Sequence, residues 1–316
     1  MNIKRRSIII TSFLAVLILF LIMKLVGSED VVDALRTASP AIIALSIPIY
    51  LISWPLRGIR YQRILAQSGY KYDLNFLVGC IALSQSANVI LPARIGDITR
   101  AYLLKKMKKV QLTTALSSLA VERIFDILAI ALIGTISLVC IRGLLIDRWI
   151  TNVLAFAGLL LTATFILLIL SLKIRTKIGG VVMGFVREIA GVSTNPGAFL
   201  TILAGSLLVW LVDTVTCFVI LNAFSETISR SMIPLVFLAI AVGNLTKIFP
   251  ITPGAIGTYE GALTIIFSLG GINPAIGLAA AGIDHLVKNS VTLMLGSAYI
   301  SHFGMSWTRL VEVKRE

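Results

Sequence analysis

The residues most able to do chemistry in this 316-residue chain are charged and amide side chains within or beside apolar segments. If those segments cross a bilayer, each charge near its centre costs about 2.5 to 3.5 kcal/mol, so it must pair or face water. The candidates for a polar, ligand-binding site are Asn88, Arg94, Asp97, Arg100, Glu122, Arg123, Asp126, Lys247, Glu260, Asp284, His285 and Lys288.

Four of these side chains could supply positive charge to an anionic ligand, namely Arg94, Arg100, Arg123 and Lys247. The planar guanidinium of arginine can bind two oxygen atoms of a phosphate at once. A second interpretation is that the charges form ion pairs that fix helices to one another. The sequence leaves both interpretations open.

Spacing along a helix suggests how some of these groups meet. Glu122 and Asp126 are four residues apart and therefore share one helix face. Arg123 projects about 100° away from Glu122 and could reach Asp97 or a ligand.

Acidic and basic residues of the C-terminal half could also pair with each other or act separately. Asp284 and Lys288 are also four residues apart and could neutralise each other. Glu260 has two open interpretations: it could carry a proton, as intramembrane carboxylates do in pumps, or it could cap the start of its own helix.

Two short segments interrupt the apolar sequence with the same pattern, Pro-x-x-Ile-Gly, and an acid follows each one. Proline removes a backbone donor and glycine loosens a helix, so neither segment can cross a bilayer as an unbroken helix. Broken helices at matching positions of two halves point to a transporter's substrate site. The predicted helix-break residues are Pro92, Gly96, Pro250, Pro253, Gly254 and Gly257.

Several classes of function have no support in the sequence. Cys80, Cys140 and Cys217 show no CxxC spacing, and His285 and His302 are too far apart to suggest zinc. No Walker loop, histidine-rich metal motif or GxSxG motif is present. We therefore predict no enzymatic activity, no cofactor and no metal site.

The composition of the chain indicates the class of protein in which these residues lie. Hydrophobic residues make up 57% of the chain and charged residues only 14%, whereas a soluble domain carries about 25% charged residues. Several apolar runs reach the roughly 20 residues needed to span hydrocarbon. The formal net charge of +13 fits an excess of Lys and Arg in cytoplasmic loops, so no nucleic-acid partner is predicted.

The predicted fold is an all-α polytopic membrane protein with one transmembrane domain over residues 1–316. Six full spans are predicted at about 8–23, 41–54, 113–140, 151–172, 199–224 and 274–303, with re-entrant helical hairpins at 75–109 and 233–271. Basic flanks place both termini on the cytoplasmic side of the cell membrane. Because the order span, span, hairpin, span occurs twice, we predict two inverted repeats, at about 1–145 and 150–316.

Three local features of the first half also lead to predictions. The second span is followed by a basic loop that is assigned to the cytoplasm and contains Arg57, Arg60, Arg63 and Lys71. The acidic segment 29–33 is assigned to an external loop. Trp54, near the predicted span end, is interpreted as an interface anchor.

The motifs together resemble those of the lysylphosphatidylglycerol synthase transmembrane, or flippase-like, family. The resemblance rests on Pro92-Ala-Arg94-x-Gly96-Asp97-x-x-Arg100, on Glu122-Arg123-x-x-Asp126, and on Pro253-Gly254-x-x-Gly257-x-x-Glu260. It implies lipid translocation. In two-domain members of the family a soluble domain makes the aminoacyl lipid, and because this sequence shows no such domain, the synthase activity is not expected here.

The sequence thus predicts a lipid transporter that moves an anionic, phosphate-bearing lipid between leaflets. The substrate would be a phospholipid or a polyprenyl-phosphate-linked sugar, and an intramembrane carboxylate could couple a proton. The alternative is a non-transporting membrane scaffold that recruits a glycosyltransferase or a lipid-modifying enzyme. The expected partners are membrane lipids and, for the scaffold, such an enzyme.

Overall fold

The computed structural model describes residues 3–91, 94–141, 195–224, 232–248 and 252–305, with the single positions 152, 158 and 191. Within these ranges every regular element is a helix, in agreement with the predicted all-α class. The helices are α1 (Ile3–Val26), α2 (Ser28–Thr37), α3 (Pro40–Leu51), α4 (Ser53–Gln67), α5 (Leu74–Ile90), α6 (Ile95–Lys108), α7 (Leu112–Cys140), α8 (Pro196–Leu221), α9 (Ile233–Ile248), a 3₁₀ helix (Pro253–Ala255), α10 (Thr258–Leu269) and α11 (Pro274–His302).

Three helical segments in the described part of the chain are long and apolar enough to cross a membrane. They are the continuous α3–α4 segment over Pro40–Gln67, α7 and α8. Helices α1 and α2 supply a fourth span if the 87° bend between them is a break within one span. The predicted span at 151–172 lies almost entirely outside the described residues. The structure therefore supports a helical membrane protein with three or four apolar spans.

The predicted loop conformation of three arginines after the second span is wrong. Arg57, Arg60 and Arg63 lie on α4, which continues α3 as far as Gln67. The Arg60 side chain is almost fully buried, because it finds two carboxylates inside the protein. A rule that assigns clustered basic residues to loops cannot detect such partners.

The acidic segment after α1 is also helical. Glu29, Asp30 and Asp33 lie on α2, where the first two occupy the first turn and so interact favourably with the positive end of the helix dipole. Trp54 is only 3% exposed and lies in the protein interior, so its interpretation as an interface anchor is wrong.

Polar caps determine where two of the site-bearing helices begin. At the start of α5, the Asp73 carboxylate accepts hydrogen bonds from the backbone N–H groups of Asn75 and Phe76. At the start of α11, the Asn273 side chain accepts from the Ala275 N–H, and a proline occupies the first helical position, where no N–H is needed.

Helices α5 and α6 form an antiparallel hairpin. Cys80 of α5 lies in one hydrophobic cluster with Leu103 of α6. Farther along α5, Ser84 and Asn88 both donate hydrogen bonds to Asp97, at the start of α6. As the residue number increases along α5, the number of the contacting residue on α6 decreases, so the two helices are antiparallel. The first break therefore lies at the hairpin tip.

Helices α9 and α10 form a second antiparallel hairpin. A Cβ atom on Gly243 would meet Leu263, and a Cβ atom on Gly270 would meet Leu235. The four hairpin helices contain 17, 14, 16 and 12 residues. At 1.5 Å per residue they are about 18 to 26 Å long, shorter than the roughly 30 Å of a hydrocarbon core. Each hairpin helix is thus too short to cross a membrane alone.

The 29-residue helices α7 and α11 pack against both hairpins. In the first hairpin, α5 contacts α11 and α6 contacts α7; in the second, α9 contacts α7 and α10 contacts α11. Ser86 of α5 donates to the Thr292 carbonyl, whereas Asn75 accepts from the Tyr299 hydroxyl. Helix α5 is therefore antiparallel to α11.

The two hairpins point in opposite directions. Glu260 of α10 contacts His285, and Gly277 lies against Phe267, so α10 runs antiparallel to α11. Helix α9 is antiparallel to α10 and is consequently parallel to α11, whereas α5 is antiparallel to it. The break-bearing ends of α5 and α9 therefore approach each other from opposite sides of the molecule.

Close contact between α5 and α11 depends on Gly296, since a Cβ atom there would collide with the Ser86 side chain. We expect Gly296→Ala to lower the free energy of unfolding by about 1 to 3 kcal/mol, as overpacking does. Gly282→Ala on the same helix is the matched control: beyond the backbone of its own helix, no atom of the described residues lies within 4 Å of its Cβ position, so alanine should stabilise by about 0.5 to 1 kcal/mol. Denaturant unfolding of the purified chain in detergent measures both, and equal shifts would contradict the packing argument.

Candidate functional site

A cavity of about 250 Å³ lies where the two hairpin tips meet between the long helices. Side chains from the α3–α4 segment, α5, α7, α8, α9 and α11 form its wall, together with the 3₁₀ helix and the start of α6. In the described part of the chain, five cations and three carboxylates line it: Arg57, Arg94, Arg123, Lys247 and Lys288, and Asp97, Asp126 and Asp213. Positive charge therefore exceeds negative charge at the wall.

The structure brings most of the predicted site residues to this cavity. Eight of them line it: Asn88, Arg94, Asp97, Arg123, Asp126, Lys247, His285 and Lys288. The other four, Arg100, Glu122, Glu260 and Asp284, are buried behind the wall. Among the predicted break residues, Gly254 lines the cavity, Gly96, Pro253 and Gly257 lie nearby in sequence without lining it, and Pro92 and Pro250 lie outside the described residues.

The first break is closed by contacts across the hairpin tip. Arg94 precedes α6 in the left-handed conformation, with φ of 53°. Its Nη1 donates to the Lys247 carbonyl at 3.2 Å, and its Nε lies 3.4 Å from Asp97 Oδ2. Asn88 Nδ2 donates to Asp97 Oδ1 at 3.0 Å. A side chain at Gly96 would collide with the Ser84 carbonyl, so only glycine permits this close approach.

The second break presses against the first hairpin. Gly254 has a φ of 60°, and its Cβ position lies 3.3 Å from the Val89 carbonyl of α5. Gly257, with φ of 86°, precedes α10 and donates its N–H to Glu260 Oε2 at 2.7 Å. Glu260 therefore does cap its own helix, as one of the two interpretations holds. Its other oxygen lies 2.6 Å from His285 Nδ1, so both carboxylate oxygens have partners.

A buried ionic cluster lies on one side of the cavity, built from three arginines and two carboxylates. Glu122 forms ion pairs with Arg60, Arg100 and Arg123, at 3.0 Å for Arg60 and 2.9 Å for Arg123. Asp126 forms ion pairs with Arg60 and Arg123. The sequence suggested that Arg123 could reach Asp97 or a ligand. In the structure it pairs with Glu122 and Asp126, the two acids of its own helix.

This first cluster joins four helices at one point. Arg60 of α4 bridges both acids of α7 and also donates to Ser206 of α8 at 2.9 Å. Arg100 of α6, predicted to be a ligand-binding cation, lies instead against Glu122 and above the Tyr61 ring, with no exposed surface. Because a buried charge needs a partner, Arg100 attaches the first hairpin to α7.

A second buried cluster also borders the cavity, which Asp213 and Lys288 line. Lys288 Nζ lies 2.9 Å from Asp284 and 3.1 Å from Asp213 Oδ2, so the predicted pairing of Asp284 with Lys288 is present. The Tyr259 hydroxyl of α10 donates to Asp284 at 2.7 Å, and Asn244 of α9 donates to Asp213 at 3.2 Å. These contacts hold the second hairpin to α11 and α8.

Two lining cations have no carboxylate partner in the described part of the chain. Arg57 lies with its guanidinium 5.9 Å from the centre of the Trp210 ring, and its Nε is buried without a hydrogen bond to any described residue. Lys247 Nζ lies 3.7 Å from the centre of the Tyr259 ring and makes no ion pair there. Their charge is available to an anion in the cavity.

Sequence reasoning did not assign Arg57, Trp54, Trp210 or Asp213 to the site. The α3–α4 helix offered one signal, since Tyr50, Trp54 and Arg57 are spaced i, i+4, i+7 and so share a face. Within the described residues, no group of three or more His, Cys, Asp or Glu side chains is arranged to hold a metal ion.

Because the first cluster is buried, we predict that replacing one of its arginines destabilises the protein far more than replacing an arginine of an exposed ion pair. We expect Arg60→Gln to lower the free energy of unfolding by about 3 kcal/mol, since it breaks buried ion pairs to Glu122 and Asp126 and removes the guanidinium that donates to Asp126 Oδ1. Arg36→Gln is the matched control: Arg36 also pairs with an aspartate, Asp33, but both side chains are at least 70% exposed. Arg36→Gln should lower the free energy of unfolding by less than about 1 kcal/mol. Similar losses for the two variants, measured by denaturant unfolding, would refute a structural role for the cluster.

Comparison with known proteins relates this architecture to others. The sequence profile of the family described as "Lysylphosphatidylglycerol synthase TM region" matches residues 8–296. A protein named glycosyltransferase AglD, from Haloferax volcanii, is 35% identical over 355 residues, which cover 99% of this chain and 57% of that relative. The chain thus spans little more than half of the relative's length.

Two relatives from Methanothermobacter thermautotrophicus match over nearly their whole lengths, and both are named UPF0104 membrane proteins. One is 26% identical over 339 residues, covering 96% of each chain. The other is 23% identical over 313 residues, covering 89% of this chain and 91% of the relative. Since the family profile extends over most of the chain, as the three motifs predicted, this protein belongs to the lysylphosphatidylglycerol synthase TM region family of membrane proteins.

Proposed function

We propose that this protein is a membrane lipid transporter that moves an anionic, phosphate-bearing lipid between leaflets. The lipid is a phospholipid or a polyprenyl-phosphate-linked sugar, whose head group passes through the cavity while its acyl or polyprenyl tail stays in the bilayer. In this proposal the protein lies in the cell membrane with both termini in the cytoplasm and does not itself catalyse a reaction.

The observation that carries the proposal is the cavity between two broken helices, with unpaired cations at its wall. Arg57 and Lys247 have no carboxylate partner in the described residues, whereas Asp126 and Asp213 are already paired with cations. An anionic head group would complete the charge balance that the protein leaves open. Guanidinium and ammonium groups in a site shielded from water favour phosphate strongly.

Two features support inverted repeats as the basis of the transport cycle. Asp97 and Glu260 occupy the third position of α6 and α10, and each helix is preceded by a residue with positive φ, Arg94 or Gly257. The packing is also reciprocal, because each hairpin contacts α7 with one helix and α11 with the other. We propose that rocking of the two repeats about the cavity exposes it to each leaflet in turn.

A second candidate function rests on the relative named a glycosyltransferase, which is much longer than this chain. In that alternative the membrane domain is a non-transporting scaffold that holds a glycosyltransferase or lipid-modifying enzyme beside its lipid substrate. The buried charges then serve structure alone. Lack of lipid exchange by stably folded protein, combined with co-purification of such an enzyme, would favour the scaffold.

The transporter proposal predicts which cations matter for turnover. In proteoliposomes carrying fluorescent anionic phospholipids or short-chain polyprenyl-phosphate sugars, we expect Arg57→Gln and Lys247→Gln to slow leaflet exchange. The loss should be about tenfold or more, the usual effect of removing a charge-assisted hydrogen bond. Stability should change little, because neither substitution orphans a carboxylate.

The control for these variants is Arg36→Gln, which removes an exposed charge on α2. It should exchange lipid at the wild-type rate. Wild-type exchange by both cavity variants would contradict the proposed role of the cavity charges, and failure of the wild type to move any lipid would contradict transport itself.

If transport is coupled to protons, the structure favours Glu260 over Asp126 and Asp284 as the carrier. Protonating either aspartate would leave a buried Arg60 or Lys288 less well paired, whereas in the described residues Glu260 forms no ion pair with an arginine or a lysine. We expect Glu260→Gln to abolish the acceleration of exchange by an imposed pH gradient. The glutamine oxygen can still accept from the Gly257 N–H, so the helix cap survives.

The matched control for the proton experiment is Glu29→Gln, the same substitution at an exposed position of α2. This variant should respond to the gradient as the wild type does. An undiminished response in Glu260→Gln would exclude this carboxylate as the proton carrier.

A further inference from the structure

One wall of the cavity is aromatic as well as cationic. Tyr50, Trp54 and Arg57 lie on one face of the α3–α4 segment, and the Tyr50 and Trp54 rings meet edge to face with centres 6.4 Å apart. Trp210 of α8 lies beside Arg57 and also lines the cavity. Two indoles and a guanidinium thus form part of the wall of a cavity that is also lined by members of both ionic clusters. We call these four residues the aromatic wall.

The aromatic wall contains donors that the protein does not satisfy. Trp54 is 97% buried, and its indole Nε1 has no hydrogen-bond partner in the described residues. The Nε1 of Trp210 and the Nε of Arg57 are likewise buried without a partner there. Indole and guanidinium N–H groups can only donate, so what is missing is a set of acceptors. Buried donors of this kind are normally satisfied, and a ligand rich in oxygen would satisfy these three.

The charges at the wall restrict that ligand further. The carboxylates of Asp126 and Asp213 are engaged by Arg60 and Lys288, and Asp97 accepts from Asn88 beside Arg94. In the described part of the chain, no lining carboxylate is left to receive a cation. Head groups that carry an ammonium, such as choline, ethanolamine or an aminoacyl ester, would meet unpaired positive charge. The cavity therefore selects against them.

The size and shape of the cavity complete the description. Its volume of about 250 Å³ exceeds what a phosphate group alone would fill. It approaches the lower limit of the roughly 300 to 1,000 Å³ that small-molecule pockets occupy. Flat aromatic faces pack well against the C–H faces of a pyranose or cyclitol ring, while N–H donors at their edges reach the ring hydroxyls. Amides of Gln85 and Asn289 at the same cavity can both donate and accept.

We propose that the aromatic wall binds a polyhydroxylated ring joined to phosphate, so that the translocated head group is a glycosyl or cyclitol phosphate rather than a zwitterionic one. This inference rests on the proposed function, since it names the substrate class of the same cavity. Trp54 and Trp210 contact the ring and donate to its oxygens. Arg57 and Lys247 bind the phosphate.

The experiment measures equilibrium binding by calorimetry, with the full chain in nanodiscs and four soluble probes: glucose 1-phosphate, inositol 1-phosphate, inorganic phosphate and phosphocholine. Wild type should bind a ring phosphate more tightly than inorganic phosphate, and phosphocholine most weakly. Preference for glucose 1-phosphate identifies a sugar carrier lipid, and preference for inositol 1-phosphate identifies an inositol phospholipid. Either preference supports a polyhydroxylated ring joined to phosphate as the ligand.

Variants separate the ring from the phosphate. Trp54→Phe keeps an aromatic face but removes the N–H, so it should weaken binding of the preferred ring phosphate by about five- to tenfold, the effect of one lost hydrogen bond, and leave phosphate binding unchanged. Arg57→Gln should weaken both ligands by a similar factor, whereas the exposed Arg36→Gln should weaken neither. If Trp54→Phe does not fold, Trp210→Phe tests the same donor chemistry from α8.

Two results would overturn the inference. One is that wild type binds ring phosphates no more tightly than inorganic phosphate. The other is that ring-phosphate affinity is unchanged in every tryptophan variant that folds. Because binding at equilibrium needs no transport, failed lipid exchange with intact ring-phosphate binding would refute only the proposed function, and intact exchange without ring-phosphate binding would refute only this inference.

Discussion

A charge placed in hydrocarbon needs a partner, and this constraint determines how the helices of this protein are joined. Glu122 is surrounded by three guanidiniums, and Lys288 lies between two carboxylates. The partners of each come from different helices, so satisfying the charge also fixes the helices relative to one another. Since apolar side chains gain little from leaving lipid for protein, such polar contacts give a membrane bundle much of its specificity.

The buried clusters also explain why a cavity can exist at the centre of the molecule. They hold α7 and α11 in position on either side, and short hairpins that cannot span a membrane fill the space between them. Because the helices are interrupted at both hairpin tips, non-helical backbone and polar side chains face the cavity in place of a continuous helix. Irregular backbone at membrane depth is tolerated where it is buried in protein or lines a wet cavity. The breaks and the clusters are therefore two parts of one arrangement.

Much of the site could be predicted because it is encoded locally. Proline and glycine mark the breaks, and the i, i+4 spacing of Glu122 with Asp126 and of Asp284 with Lys288 marks the polar faces of α7 and α11. Arg60 could not be assigned, since its partner Asp126 lies 66 residues away and the loop rule counts charges without knowing their partners. Trp54 was misassigned for the same reason: its distance from a predicted span end was visible, but its neighbours across the cavity were not.

The two ionic clusters carry opposite net charges. On one side Arg60 of α4 meets Asp126 of α7, and on the other Asp213 of α8 meets Lys288 of α11. Three guanidiniums and two carboxylates on the first side leave one positive charge in excess, while one ammonium and two carboxylates on the second leave one negative charge in excess. Lys247 offsets this negative excess, because its ammonium lies over the ring of Tyr259, whose hydroxyl donates to Asp284. With that cation counted, neither cluster presents net negative charge to the cavity, so an anion inside is repelled by neither.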